Sequence, residues 1–163
     1  MFRPMKLRDP KKLPEVSRLK AHVGFWMRLV SNQVSHTFAR KLRASGVTVA
    51  EWVILREMFE GSAVTSPSLV AERTGLTRGA VSKLIERLLN KGLVTRREAA
   101  GDRRYQDIEL TPDAITLVPR LGKLADDNDE KFFGVLPKVE REALRQTLVR
   151  IAGLHSLSNP PIE

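Results

Sequence analysis

The stretch SPSLVAERTGLTRGAVSKLIERLLNKGLVTRREAAGDRRYQDIELTP, residues 66–112, decides the fold. Ser66-Pro67 sets a helix cap ahead of a proline at the first helical position, and Leu69, Val70 and Ala71 supply the apolar side of a short helix up to Arg73. TGLT reads as a turn at Gly75, and Thr77 caps a second helix over about residues 78–91. In that helix Val81, Leu84, Ile85 and Leu88 recur at helical spacing and form the buried stripe. The stripe leaves Arg78, Gly79, Ser82, Lys83 and Arg87 on the outward side. Gly92 ends the helix, and LVTRRE and YQDIEL then read as two strands of a β-hairpin joined by AAGDR.

A helix-turn-helix followed at once by a basic hairpin is a winged helix. On its N-terminal side, Leu19, Val23, Trp26, Val30, Val34, Phe38 and Leu42 recur every three or four residues, which predicts one face of a long helix from about Ser17 to Ala44. Gly46 stops it. Thr48 and Glu51 make a T-x-x-E capping box that opens a helix over about 49–60, with Trp52, Val53, Leu55 and Phe59 inward. On the C-terminal side, Thr111-Pro112 caps a further helix carrying Ile115, Val118, Leu121 and Leu124, which Pro119 is expected to kink or interrupt. A last helix from about Lys138 to Leu154 is expected to turn Val139, Leu144, Leu148, Ile151 and Ala152 inward. The predicted fold class is mainly α: a winged helix-turn-helix head with a small β-hairpin wing, flanked by N- and C-terminal dimerisation helices. The expected domains are a basic arm at 1–16, a helical dimerisation region at 17–47 and 112–155, a DNA-binding region at 48–111 and a tail at 156–163.

Charge narrows the function. The chain holds 28 Lys and Arg against 19 Asp and Glu, formally +9, a balance that suits a polyanionic partner. Residues 73–104 alone carry 9 basic and 3 acidic side chains, so the contact surface is expected there. No apolar run is long enough to span a bilayer, and the N-terminus MFRPMKLRDPKKLPE lacks the apolar stretch of a signal peptide, so a cytoplasmic location without membrane attachment is expected. The absence of cysteine excludes disulfides, thiolate metal sites and thiol switches. His22, His36 and His155 stand far apart, and no metal or other cofactor is implied. The acidic run Asp126, Asp127, Asp129 and Glu130 has no loop glycine pattern and reads as a solvated helix face. No catalytic motif is present, and the chain is not read as an enzyme.

The residue types of the second helix suit duplex DNA. Its N-terminal residues are positioned to reach base edges in a major groove: Arg78 and Lys83 can donate to guanine, Ser82 can bond either way, and Gly79 leaves room for close approach, with Thr77 and Arg87 flanking them. Arg73, Lys91, Arg96 and Arg97 are candidates for phosphate contacts. At the hairpin tip Arg104 is expected to enter a minor groove and Arg103 to meet a phosphate while Asp102 braces the loop; a plain surface salt bridge is the alternative. Trp26, Trp52 and His22 are read as structural and not as ligand-binding. The same cations would also serve a nonspecific or architectural nucleic-acid binder, and composition does not separate the two.

Residues 76–112 resemble the multiple-antibiotic-resistance-regulator (MarR) family of winged-helix transcription factors. The resemblance rests on the recognition helix, the L-x-x-K-G-L-V-x-R exit, the D-R-R wing and the L-T that starts the next helix. It implies a homodimer that reads a pseudo-palindromic operator in double-stranded DNA, acting as a repressor released by a small anionic or phenolic effector, and it matches Asp102 and Arg104 to the family's D-x-R wing pair. Ala114, where the family usually has glycine, and Pro119 are departures from the pattern.

Overall fold

Capping residues set the helix starts where the sequence places them. The computed structural model describes residues 15–62, 64–98 and 106–157. Most of the basic arm, the hairpin tip with Asp102, Arg103 and Arg104, and the tail beyond Leu157 lie outside the described residues. The helices are α1 (Val23–Ala44), α2 (Val49–Glu60), α3 (Pro67–Thr74), α4 (Arg78–Asn90), α5 (Pro112–Phe133) and α6 (Lys138–Leu154), and the strands are β1 (Val64–Thr65), β2 (Val94–Glu98) and β3 (Gln106–Leu110). None of the described helices is long and apolar enough to cross a membrane.

Four starts share one device, a hydroxyl accepting a backbone N–H three residues on. Thr48 accepts from Glu51, Ser66 from Leu69, Thr77 from Ala80 and Thr111 from Ala114, each at 3.2 Å. Each such cap stabilises its helix by about 1 kcal/mol. At α2 the box is complete, because the Glu51 carboxylate accepts the Thr48 N–H at 2.8 Å. The Thr111 hydroxyl also donates to the Gly92 carbonyl at 2.8 Å, which ties the start of α5 to the end of the α4–β2 turn. Between α3 and α4, Gly75 adopts φ +70°, a left-handed conformation that a side chain disfavours.

The chain divides into two compact units at Gln33/Val34. In the N-terminal unit a 3-10 turn at Leu19–Ala21 precedes α1, so the predicted helix starts later than Ser17. The Trp26 indole donates to the Lys20 carbonyl at 2.9 Å, and the Phe25 and Trp26 rings meet edge to face at 5.2 Å. Trp26, expected as core, is 48% exposed, and Leu19, Val23 and Val30 are exposed as well.

In the C-terminal unit Ile54, Leu55, Val70, Val81, Leu88, Ile108, Val118 and Leu121 build one core. Helix α2 packs against α3, α4, α5 and β3. Being apolar nearly all round, it gives periodicity little hold on its rotation. Phe59, expected inward, lies outward, while Ile54 and Met58 are buried. The strands form an antiparallel sheet in the order β1-β3-β2, with Val94 opposite Leu110 and Arg96 opposite Ile108. Strand β1, not foreseen, adds to the other edge of β3 through Val64–Glu109 and Thr65–Ile108.

Two expectations for the C-terminal helices need correction. Pro119 does not interrupt α5, which runs unbroken from Pro112 to Phe133. The proline faces solvent, where water can serve the carbonyl left without its donor, and Val118 and Leu121 beside it are fully buried. The apolar stripe of α6 is not covered within the chain: Val139 is 81% exposed, and Leu144, Leu148 and Ile151 are exposed too.

Candidate nucleic-acid interface

Helix α4 divides cleanly between inside and outside. Val81, Leu84, Ile85 and Leu88 are buried, whereas Thr77, Arg78, Gly79, Ser82, Lys83 and Arg87 are all exposed. Arg78, Lys83 and Arg87 form no ion pair with any described residue, so their donors are available to a ligand. A Cβ built on Gly79 meets no atom within 4 Å, so the chain itself does not require glycine there. Thr77 uses its hydroxyl oxygen on the Ala80 N–H, which makes it the cap of this helix first. Beside the α4 N-terminus an open groove is lined by Ser66, Ser68, Glu72, Leu76 and Arg78. Sequence reasoning found Ser66 only as a cap and did not single out Ser68. The signal was present in a second hydroxyl placed in the first turn of α3.

The expected phosphate contacts divide into two kinds. Arg73 lies 3.4 Å from Glu57, Arg97 3.8 Å from Glu109, and Arg96 pairs with Glu86. All three are exposed pairs, worth about 1 kcal/mol or less, and a phosphate can compete for the guanidinium. Lys91 is different. Its ammonium donates to both carboxylate oxygens of Glu51, at 2.7 and 2.9 Å, and to the Gly46 carbonyl at 2.8 Å. All three donors are committed inside the protein, and the role expected for Lys91 on phosphate is replaced by a link from the end of α4 to the α1–α2 corner.

Glu51 is 1% exposed and is the buried member of that link. Burial pushes its carboxyl upward, but the Lys91 hydrogen bonds and charge and the Thr48 N–H outweigh this and hold it below the usual 4.5. The capping box was legible in the sequence. The partner of Glu51, 40 residues away, was not.

A cavity of about 290 Å³ opens behind α2, lined by Val34, Ser35 and Phe38 of α1, Val49, Trp52 and Val53 of α2, and Ala125, Asn128 and Asp129 of α5. Trp52, expected as core, is 9% exposed and also forms one wall. Its ring carries the Arg56 guanidinium 5.8 Å from the centroid, and Arg56 in turn pairs with Glu60. Asn128 is 2% exposed and donates its Nδ2–H to the Val34 carbonyl at 3.2 Å. Among the described residues no group of His, Cys, Asp and Glu is arranged to hold a metal ion.

This geometry matches known proteins. A MarR family model matches residues 45–104, which include α2, α3, α4 and β2. The transcriptional regulator HosA of Escherichia coli is 26% identical over 115 residues, covering 71% of this chain and 84% of HosA. BpsR of Bordetella bronchiseptica, whose DNA binding is regulated by 6-hydroxynicotinic acid, superposes with a TM-score of 0.70 at 25% identity, over 85% of this chain and 98% of that one. A cysteine-to-serine variant of Escherichia coli MarR in complex with operator DNA shares the fold, with a TM-score of 0.68 at 20% identity over 79% of this chain and 92% of that one. With the helix-turn-helix, the antiparallel wing strands and the outward cations of α4 in place, the chain belongs to the MarR family of winged-helix transcriptional regulators.

Proposed function

We propose that the protein is a sequence-specific regulator that binds a pseudo-palindromic operator as a homodimer and acts as a repressor released by a small ligand. The observation that carries this reading is the outward face of α4, where Arg78, Ser82, Lys83 and Arg87 are exposed above a buried apolar stripe and the three cations have no carboxylate partner among the described residues. In this reading Arg78, Ser82 and Lys83 reach base edges, and Gly79 lets the helix approach the groove. Arg73, Arg87, Arg96 and Arg97 exchange their solvent or carboxylate contacts for phosphates, and the groove hydroxyls of Ser66 and Ser68 join them. Between β2 and β3, Arg104 serves a minor groove and Arg103 a phosphate, with Asp102 bracing them. The homodimer is supported by the uncovered apolar stripe of α6 and, separately, by the exposed Val23, Trp26 and Val30 of α1. Ligand release is supported by the cavity behind α2 and by the regulation of BpsR by 6-hydroxynicotinic acid.

The test is fluorescence anisotropy over a salt series, comparing duplex DNA from immediately upstream of the protein's own gene with a scrambled duplex. A preference of about 10³ or more, with a steep salt slope, is expected of a site-specific regulator. Equal binding to both, persisting after selection from random sequence, would favour the nonspecific or architectural alternative.

A further inference from the structure

We infer that the cavity behind α2 takes a small, uncharged aromatic ligand that presents an N–H or O–H donor, and rejects carboxylates. This deepens the reading above, because it names the chemistry of the ligand that would release DNA. Two observations carry it.

The first is an acceptor with nothing to accept. The Val34 carbonyl can only accept, so the Nδ2 end of Asn128 faces it, at 3.2 Å, and the amide oxygen is turned away. That oxygen is closed off from solvent and receives no hydrogen bond. A buried amide oxygen left unpaired is costly, and native proteins rarely leave one without a purpose. Asn128 is also one of the cavity-lining residues. A ligand donor seated against it completes the bond that the chain does not make.

The second is the charge around the cavity. Of its described lining residues only Asp129 is charged, and it is negative and exposed. The nearest cations are engaged elsewhere: Arg56 pairs with Glu60 and covers the Trp52 ring, and Arg141 pairs with Glu130 at 2.8 Å and lines a separate depression between α5 and α6. A carboxylate entering here would lose its hydration, meet Asp129 and an amide oxygen, and find no lining cation to offset either. Phe38, Trp52 and Val53 instead offer an apolar wall, and about 290 Å³ suits a single substituted ring. The anionic effector that the family resemblance implies does not fit these residues, whereas the neutral phenolic form does.

The experiment titrates the whole protein, without DNA, with phenol and with benzoate at pH 7.5, where the phenol is neutral and the benzoate ionised. Binding is read from tryptophan fluorescence and from the Asn128 side-chain amide signal. Phenol is expected to bind at least about tenfold more tightly than benzoate, with Asn128→Leu removing most of that advantage. Because Asn128→Leu also breaks the bond to Val34, Asp129→Asn on the exposed rim provides an independent arm, and there benzoate is expected to gain affinity while phenol does not. Benzoate binding as well as phenol, neither probe binding, or both substitutions leaving the preference intact would overturn the assignment. A second stage adds each probe to the protein–operator complex. Phenol that binds the protein but does not release DNA upholds the cavity chemistry and refutes ligand release. Benzoate that releases DNA does the reverse.

Discussion

Replacing Lys91 with Met removes the charge from the link between the end of α4 and the α1–α2 corner while keeping most of the side-chain volume. The Glu51 carboxylate, 1% exposed, would lose the two contacts at 2.7 and 2.9 Å and keep the Thr48 N–H at 2.8 Å. Breaking a fully buried pair from one side costs about 3–5 kcal/mol. Lys91 is 36% exposed, so water screens part of the interaction, and the retained N–H bond offsets more of the loss. We therefore expect about 2–3 kcal/mol at pH 7, or a melting temperature lower by roughly 5–10 °C at fixed protein concentration. The pH dependence follows from the direction of the Glu51 shift. In the parent its folded pKa lies below the usual 4.5, so Glu51 contributes stability that is fully present above pH 4.5 and is lost as pH falls through the folded value. In Lys91→Met the burial remains without the cation, the carboxyl moves up, and protonation relieves the variant before it harms the parent. The deficit should shrink as pH falls from 7 to 4. Urea denaturation at both pH values measures it, with Arg96→Met, whose pair with Glu86 is exposed on both sides, as a control expected to cost about 1 kcal/mol or less. A Lys91→Met deficit no larger than the control, or one of equal size at pH 4 and pH 7, would refute the reasoning.

Three other outcomes are expected. Gly79→Ala should raise stability by about 0.5–1 kcal/mol, because glycine is a poor helix former and the added methyl meets nothing in the chain, yet should weaken operator binding; a variant that gains stability and binds unchanged would remove the close-approach role. Arg78→Ala should cost about 1–3 kcal/mol on the preferred duplex and relax discrimination, whereas Arg87→Ala should weaken all duplexes alike and lower the salt slope by about one; identical specificity profiles for the two variants would contradict the assignment. Thr111→Val should destabilise by about 1–2 kcal/mol in thermal or urea unfolding, since it loses both the cap on Ala114 and the bond to the Gly92 carbonyl.

The site was legible where its signals were local. The caps at Thr48, Ser66, Thr77 and Thr111 are hydroxyls three residues from the amide they bind, and each stands where the sequence placed it. The buried stripe of α4 was legible for the same reason: it has a single apolar face, so Val81, Leu84, Ile85 and Leu88 determine its rotation and with it the outward set from Arg78 to Arg87. Helix α2 has no such asymmetry, and the exposure of Phe59 was misread because contacts with three other helices set its phase. Strand β1 is two residues long and is defined by its partner β3, more than 40 positions away, not by any pattern of its own.

The sequence by itself determined the order of elements, their starts, the outward face of the recognition helix and the concentration of positive charge around it, because caps, periodicity and charge act over one or two turns of chain. Tertiary structure alone decided which cations remain available and which are committed. Lys91 and Arg87 are alike in sequence, but only Lys91 reaches the buried Glu51, whereas Arg87 has no partner among the described residues. It also decided that α5 runs through Pro119, because burial of Val118 and Leu121 stabilises the helix on one side while water serves the other. The same holds for the lone amide oxygen of Asn128. Whether a polar atom is satisfied depends on what the fold brings within 3 Å of it, and that distance is not a property of its neighbours in the chain.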